Sequence, residues 1–204
     1  MQATDDALPR SLPRCAWASG PDARMREYHD REWGTPSRDE RHLFEMLILE
    51  GFQAGLSWKT ILDKREAFRR AFSGFDPARV AAFTDDDAQR IMADPGIVRN
   101  RLKIRAAVLN AQIFLEIQKE FGSFAAYLDA FVKMYPPSLA PAPVPVTTEL
   151  GDALSRDLVR RGMRFAGPVV ICSFLHAVGV LFGHEPGCFR ATTNEGEQPW
   201  TSDP

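Results

Sequence analysis

Residues 37–58 read SRDERHLFEMLILEGFQAGLSW, and this stretch decides the fold class. Ser37, with Glu40 three residues on, has the form of a capping box. The run RHLFEMLILE that follows places Leu43, Met46, Leu47 and Glu50 at helical spacing, and Gly51 is expected to stop it. Ser57 then caps a second helix through WKTILDKREAFRRAF, whose apolar positions Ile61, Leu62, Phe68 and Phe72 recur near a period of 3.6. Two helices meeting at a glycine-rich corner predict helix packed on helix.

The rest of the chain extends that pattern. Asp76-Pro77 is an N-cap followed by a first-turn proline. Thr84 with Asp87 starts a short helix through Met92, and Pro95-Gly96 forces a tight turn. A long helix follows from about Arg99 to Phe121, and Ser123 caps the next, through AAYLDAFVKM. The proline-rich stretch PPSLAPAPVPV (136–146) cannot continue a helix and is expected as a loop. Two further helices are expected around 151–161 and 168–182. Neither alternating strands nor a repeat of fixed period is present. The prediction is an all-α protein with one body over 14–190, and disordered polar tails at 1–13 and 191–204. The terminal segments of the body are expected to come together.

Composition bounds what such a body can do. The chain has 204 residues, 45% apolar and 25% charged, enough for a core without disulfides. Lys plus Arg is 25 against 27 Asp plus Glu, a net charge of −2, which excludes a wholesale polycation but not a local basic patch. No apolar run approaches a membrane span, so no membrane partner is expected. The polar N-terminus does not read as a secretory signal. Three cysteines, at 15, 172 and 188, fit a reducing cytoplasm better than a disulfide framework.

Four features carry chemistry. Cys15 and His29 lie near the start, and His184-x3-Cys188 near the end. Two thiolates and two imidazoles suit a closed tetrahedral metal site that would staple the ends. On spacing alone, buried thiols with surface histidines is the commoner arrangement. Glu50 sits among Leu49, Phe52, Leu56 and Trp58, where a carboxylate is costly unless paired, although an exposed late-helix carboxylate is the commoner outcome for a lone Glu. Trp17, Tyr28, Trp33 and Trp58 are either core or a set of faces for a flat or cationic ligand. Finally, DPGIVRNRLKIR (94–105) places Arg99, Arg101, Lys103 and Arg105 behind a Pro-Gly turn at a helix N-terminus. That is a phosphate site or a solvated basic face.

Together these residues resemble one family, the bacterial 3-methyladenine DNA glycosylase I enzymes. The resemblance runs from about Arg14 to Phe189. It is carried by Cys15-Ala-Trp17, Tyr28-His29-Asp30-x-Glu32-Trp33-Gly34, the block 43–58, the hairpin 94–104, LSRDLVRRGMRFAGP (154–168) and His184-x3-Cys188. It implies a helix-hairpin-helix glycosylase fold with a structural Zn2+ on Cys15, His29, His184 and Cys188. It implies Glu50 as the base-recognising catalytic carboxylate, Tyr28 and Trp58 as the rings sandwiching an extruded base, and Trp17, Trp33 and Ser173 as further pocket lining. Gly55 and Leu56 would fill the gap left in the duplex. Gly96, Val98, Arg99, Arg101 and Lys103 would hold DNA. The implied activity is hydrolytic removal of 3-methyladenine from alkylated double-stranded DNA by a monomeric, monofunctional enzyme. The alternatives are a non-catalytic binder of alkylated DNA and a zinc-stapled interaction module. The chain departs from the family pattern at Met25, Asp129, Cys172, His176 and Gly183; His176 is read as either a pocket residue or a satisfied core histidine, the second being favoured.

Overall fold

A computed structural model describes residues 8–137, 145–191 and 200. The ordered elements are nine α-helices among these residues, with no strand. They are α1 (Ala23–Arg31), α2 (Glu40–Gln53), α3 (Trp58–Ala71), α4 (Pro77–Ala81), α5 (Asp85–Ala93), α6 (Arg101–Phe121), α7 (Phe124–Met134), α8 (Glu149–Arg160) and α9 (Pro168–Ala177). None of the described helices is long and apolar enough to cross a membrane.

Local chemistry sets most helix starts. The hydroxyl of Ser57 accepts from Thr60 N, Asp76 caps the Pro77 helix, and Thr84 and Asp87 form a reciprocal capping box. Ser123 caps α7, as read from the sequence. The expected box at Ser37 and Glu40 does not form. Asp39 is the N-cap of α2, accepting from His42 N at 2.7 Å. Glu40 instead reaches the N-terminus of α7, accepting from Phe124 N at 2.8 Å and Ala125 N at 2.9 Å. Unpaired N–H groups and a helix dipole draw a carboxylate there. Gly51 does not stop α2, which runs to Gln53. Gly51 packs on Phe165, where a Cβ would stand in ordinary contact at 3.5 Å. The long helix begins at Arg101 under an Asn100 cap, and α9 ends at Ala177, before the expected 182.

α2 is the axis of the core. Every residue from Leu43 to Phe52 is buried, as in a helix surrounded on all sides. It packs against α3, α6, α7 and α9. Glu45, on this buried helix, is ionised by its partners: Arg65 Nε stands 2.6 Å and Arg69 Nε 2.8 Å away. The same Arg65 clasps both oxygens of Glu32 at 2.6 and 2.7 Å, tying the end of α1 to α3. Burial and these acidic partners act on Arg65 together, with its pKa raised on balance.

Parts of the segments expected as tails are among the described residues. Residues 9–12 wrap the Arg14 guanidinium, which donates to the carbonyls of Pro9, Arg10 and Leu12. Trp200, placed in the disordered C-terminal tail by its polar neighbours, is 2% exposed. It donates to Asp129 at 2.8 Å and lies under the Arg38 guanidinium at 4.9 Å. A single large apolar side chain is enough to seat it. The remainder of both tails, and most of the expected proline-rich loop, lie outside the described residues.

Candidate base pocket, metal cluster and DNA-facing hairpin

α1, α2, the start of α3 and α9 enclose a cavity of about 360 Å³. Trp17, Tyr28, Trp33, Glu50, Trp58 and Ser173 all line it. Met25, Gln53, Pro145, Val146, Cys172 and His176 complete the wall. Glu50 is 5% exposed. Among the described residues nothing donates to its carboxylate, and burial alone pushes its pKa up to about 8. A carboxyl left in this state, inside aromatic walls, waits for a donor from outside. Tyr28 Oη and Trp58 Nε1 are also buried without partners, and burial, reinforced by Glu50, raises the Tyr28 phenol well above its ordinary value.

The expected sandwich is not open. The Tyr28 and Trp58 rings touch each other, with centroids 5.2 Å apart and planes tilted by 43°. A purine between them needs about 7 Å, two contacts of ~3.5 Å. Trp58 is the first residue of α3, beyond the Gly55 turn. His176 takes the pocket place rather than the core one: it is on the cavity wall, stacked on Trp33 at 6.4 Å, and among the described residues neither ring nitrogen makes a well-formed hydrogen bond. Burial pulls its pKa down to about 4, so it is neutral. The departure at Gly183 belongs with it, because a Cβ there would stand 2.7 Å from His176 Nδ1 and 2.9 Å from Trp33.

Behind Trp33 the chain ends meet. Cys15, His29, His184 and Cys188 are all buried, and their ligand atoms lie within 4.8 Å of one another. Cys15 Sγ and Cys188 Sγ are 3.6 and 3.7 Å from His184 Nδ1, and Cys188 Sγ is 3.4 Å from His29 Nε2. A tetrahedral ion with metal–sulfur bonds of ~2.3 Å and metal–nitrogen bonds of ~2.0 Å requires sulfur–nitrogen edges of about 3.5 Å. The donor set and the spacing therefore fit one metal ion. The supporting groups fit as well. His29 Nδ1 meets Asp30 at 2.9 Å, and Arg14 holds Asp30 at 2.7 and 2.8 Å. Backbone N–H groups of Glu185 and Arg190 point at the two sulfurs, at 3.3 and 3.4 Å. Such outer partners orient ligands and support thiolate charge. Trp33 packs edge-on against His184 at 4.7 Å, so one ring is shared between the metal cluster and the pocket.

The hairpin between α5 and α6 forms the third part. Gly96 sits on Ala67, where a Cβ would be 2.8 Å from the alanine methyl, and its N–H is taken by Asp94 at 2.6 Å. Lys64 grips the carbonyls of Pro95 and Gly96 from α3. Val98 N–H and Arg99 N–H have no acceptor among the described residues, and exposed Arg99 and Arg101 have no ion pair there. These groups suit an anion. Arg105 is paired to Asp85 at 3.1 Å. Lys103 is corrected: it is 7% exposed, and its ammonium is spent on the carbonyls of Phe52 and Ala54. The sequence placed it among phosphate-binding cations because charge type alone does not show which way a side chain turns.

The residues missed by the sequence are mostly wall and support. Gln53, Pro145 and Val146 have no signature of their own. Asp30, adjacent to His29, had one, since a metal-bound histidine commonly leans on a carboxylate.

An all-α body whose aromatic cavity surrounds a buried carboxylate with no donor among the described residues, beside a Cys2His2 cluster that could hold a metal, has the form of a base-excising DNA glycosylase. The methyladenine glycosylase family matches residues 17–191. DNA-3-methyladenine glycosylase 1 of Escherichia coli is 41% identical over 180 residues, 87% of this chain and 96% of that protein. DNA-3-methyladenine glycosylase of Haemophilus influenzae is 39% identical, covering 86% and 96%. A crystal structure of the Staphylococcus aureus 3-methyladenine DNA glycosylase I, described for the basis of its 3-methyladenine recognition, superposes with a TM-score of 0.80 at 39% identity, over 86% of this chain and 94% of that one. The chain belongs to the methyladenine glycosylase family, and by that membership it is a DNA repair glycosylase.

Proposed function

We propose that the protein removes 3-methyladenine from alkylated duplex DNA, with Glu50 as the catalytic carboxylate that recognises the base. The observation that carries the assignment is the Glu50 carboxyl, buried without a donor in an aromatic cavity. N3 methylation gives adenine a positive charge, which a carboxylate and aromatic faces favour over the neutral base. Glu50 loses its proton as the cation arrives and accepts from the exocyclic amine, where guanine has a carbonyl oxygen. Tyr28 and Trp58 part to admit the ring, and Trp17, Trp33 and Ser173 bound it. The bond from the sugar to the base breaks with its electron pair going to the base, which leaves neutral. Water adds to the sugar carbon to form the sugar hydroxyl and releases its proton to solvent, as Glu50 does on ionising. An already charged leaving group needs little acid catalysis and no amine nucleophile, so no lyase step follows.

DNA is held through its backbone. Val98 and Arg99 N–H groups with the Arg99 and Arg101 side chains take phosphates, and half-exposed Leu56, on the Gly55 turn, fills the space of the extruded base. A zinc ion on Cys15, His29, His184 and Cys188 would tie the two chain ends together. Four protein ligands leave it no open position for chemistry. We further infer that it acts in the cytoplasm, on the grounds that none of its three cysteines is in a disulfide, and that it acts as a monomer. Incubation with methylated duplex and chromatography of the released bases tests the reading. Free 3-methyladenine is expected from the parent protein and not from Glu50→Gln. Lesion-dependent binding with no released base would favour the non-catalytic alternative.

A further inference from the structure

Lys103 stands in the first turn of α6, next to exposed Arg101, where a helix N-terminus is already positive. Its ammonium is nevertheless turned inward. It donates at 2.9 Å to Phe52 O and at 2.7 Å to Ala54 O, and the Phe165 ring covers it at 5.6 Å. Phe165 is held over it with φ of +54°, in a segment pinned by Asn110, whose amide bonds both the N–H and the carbonyl of Arg164. The two carbonyls belong to the last turn of α2 and its cap, which no helical N–H satisfies. Immediately beyond them is the turn that presents Leu56. Leu56 N–H reaches Gln53 O at 2.7 Å, Gln53 returns a bond to Leu56 O at 2.9 Å, and Gly55 lies at φ +82°. One side chain thus joins the hairpin helix to the end of the Glu50 helix at the root of the Leu56 turn.

We propose that Lys103 is a positioning residue that braces the Gly55–Leu56 turn against the phosphate-gripping hairpin, so that docking of the hairpin on the backbone sets where Leu56 enters the duplex. This rests on the glycosylase reading above. Lys103 touches neither base nor phosphate. It acts through Leu56, and its effect belongs to extrusion of a paired base.

The test compares parent, Lys103→Met, Leu56→Ala and the double variant in single-turnover release of 3-methyladenine. Two substrates are used, one with the lesion paired in a duplex and one with it unpaired in a bulge, where extrusion is cheap. Lys103→Met is expected to lose about tenfold on the paired lesion and less than threefold on the bulge. Its affinity for undamaged duplex, its salt dependence and its binding of free 3-methyladenine should stay within twofold of the parent. In the Leu56→Ala background the same substitution should cost less than twofold, because both act on one element. Equal losses on both substrates, a full tenfold loss added to Leu56→Ala, or a lower salt slope would overturn the proposal. Loss of free-base binding would do the same, by making Lys103 a support of the pocket as a whole. A parent protein that binds 3-methyladenine but releases none from either substrate would instead sink the glycosylase reading.

Discussion

Replacing Glu50 by glutamine should stabilise the fold in a pH-dependent manner while abolishing base release. Burial raises the Glu50 pKa from 4.5 to about 8. Between those values the folded state holds a proton that the unfolded state has released, so stability falls as pH rises through the interval. The direction is opposite to that of a salt-bridged carboxylate. At ~1.4 kcal/mol for each tenfold change in proton affinity, the loss between pH 5 and pH 8 is about 3 kcal/mol, approaching 4–5 kcal/mol above pH 9. Glutamine keeps the shape and has no proton to lose. Urea unfolding of parent and Glu50→Gln, each at pH 5 and pH 8, isolates the effect as a double difference. Thiol and histidine titrations at the metal cluster are common to both proteins and cancel. The expected double difference is about 3 kcal/mol in favour of glutamine at pH 8. Parallel pH profiles would show that the carboxyl is solvated or partnered, and the account of base recognition would lose its foundation.

Three further outcomes follow from the same geometry. Because a cationic base needs Glu50 ionised, kcat/KM for base release should climb with pH and level off above about pH 8, the value for the free protein; a profile flat from pH 6 to 9 counts against the role. Elemental analysis should find about one zinc per chain, and Cys188→Ala should lose it and melt at lower temperature; an unchanged melt with no metal in the parent removes the staple. Arg99→Ala and Arg101→Ala should each weaken duplex binding and lower the slope of log K against log salt by about 1, as measured by fluorescence anisotropy across a salt series.

The helix starts were legible because caps are local: Ser57, Asp76, Thr84 with Asp87, and Ser123 satisfy N–H groups two or three residues away. α1 was not, since its face is short and largely polar and its burial comes from Arg65 and the rings around Tyr28. Glu40 was misread for a related reason. Its partners are 84 and 85 residues distant, at the end of a helix that only folding brings near. In the pocket, the residue types at Glu50, Tyr28, Trp17, Trp33 and Trp58 were legible. The closed contact between Tyr28 and Trp58 and the place of His176 on the cavity wall were not, because both depend on how α9 and the start of α3 pack against α1.

Residue type and short-range spacing gave, without coordinates, an all-helical chain and most of its corners, whereas the roles of the aromatic, acidic and metal-binding groups came from the resemblance to a family. Tertiary structure alone decided which way each charge turned. Arg99 and Arg101 face solvent, whereas Lys103, two residues from Arg101, points inward, because the open carbonyls at the end of α2 lie there to receive it. It also decided that Cys15 and His184, 169 residues apart, share one buried cluster. Such outcomes depend on which unsatisfied groups folding brings within hydrogen-bonding or metal-binding reach, and no local pattern encodes that distance.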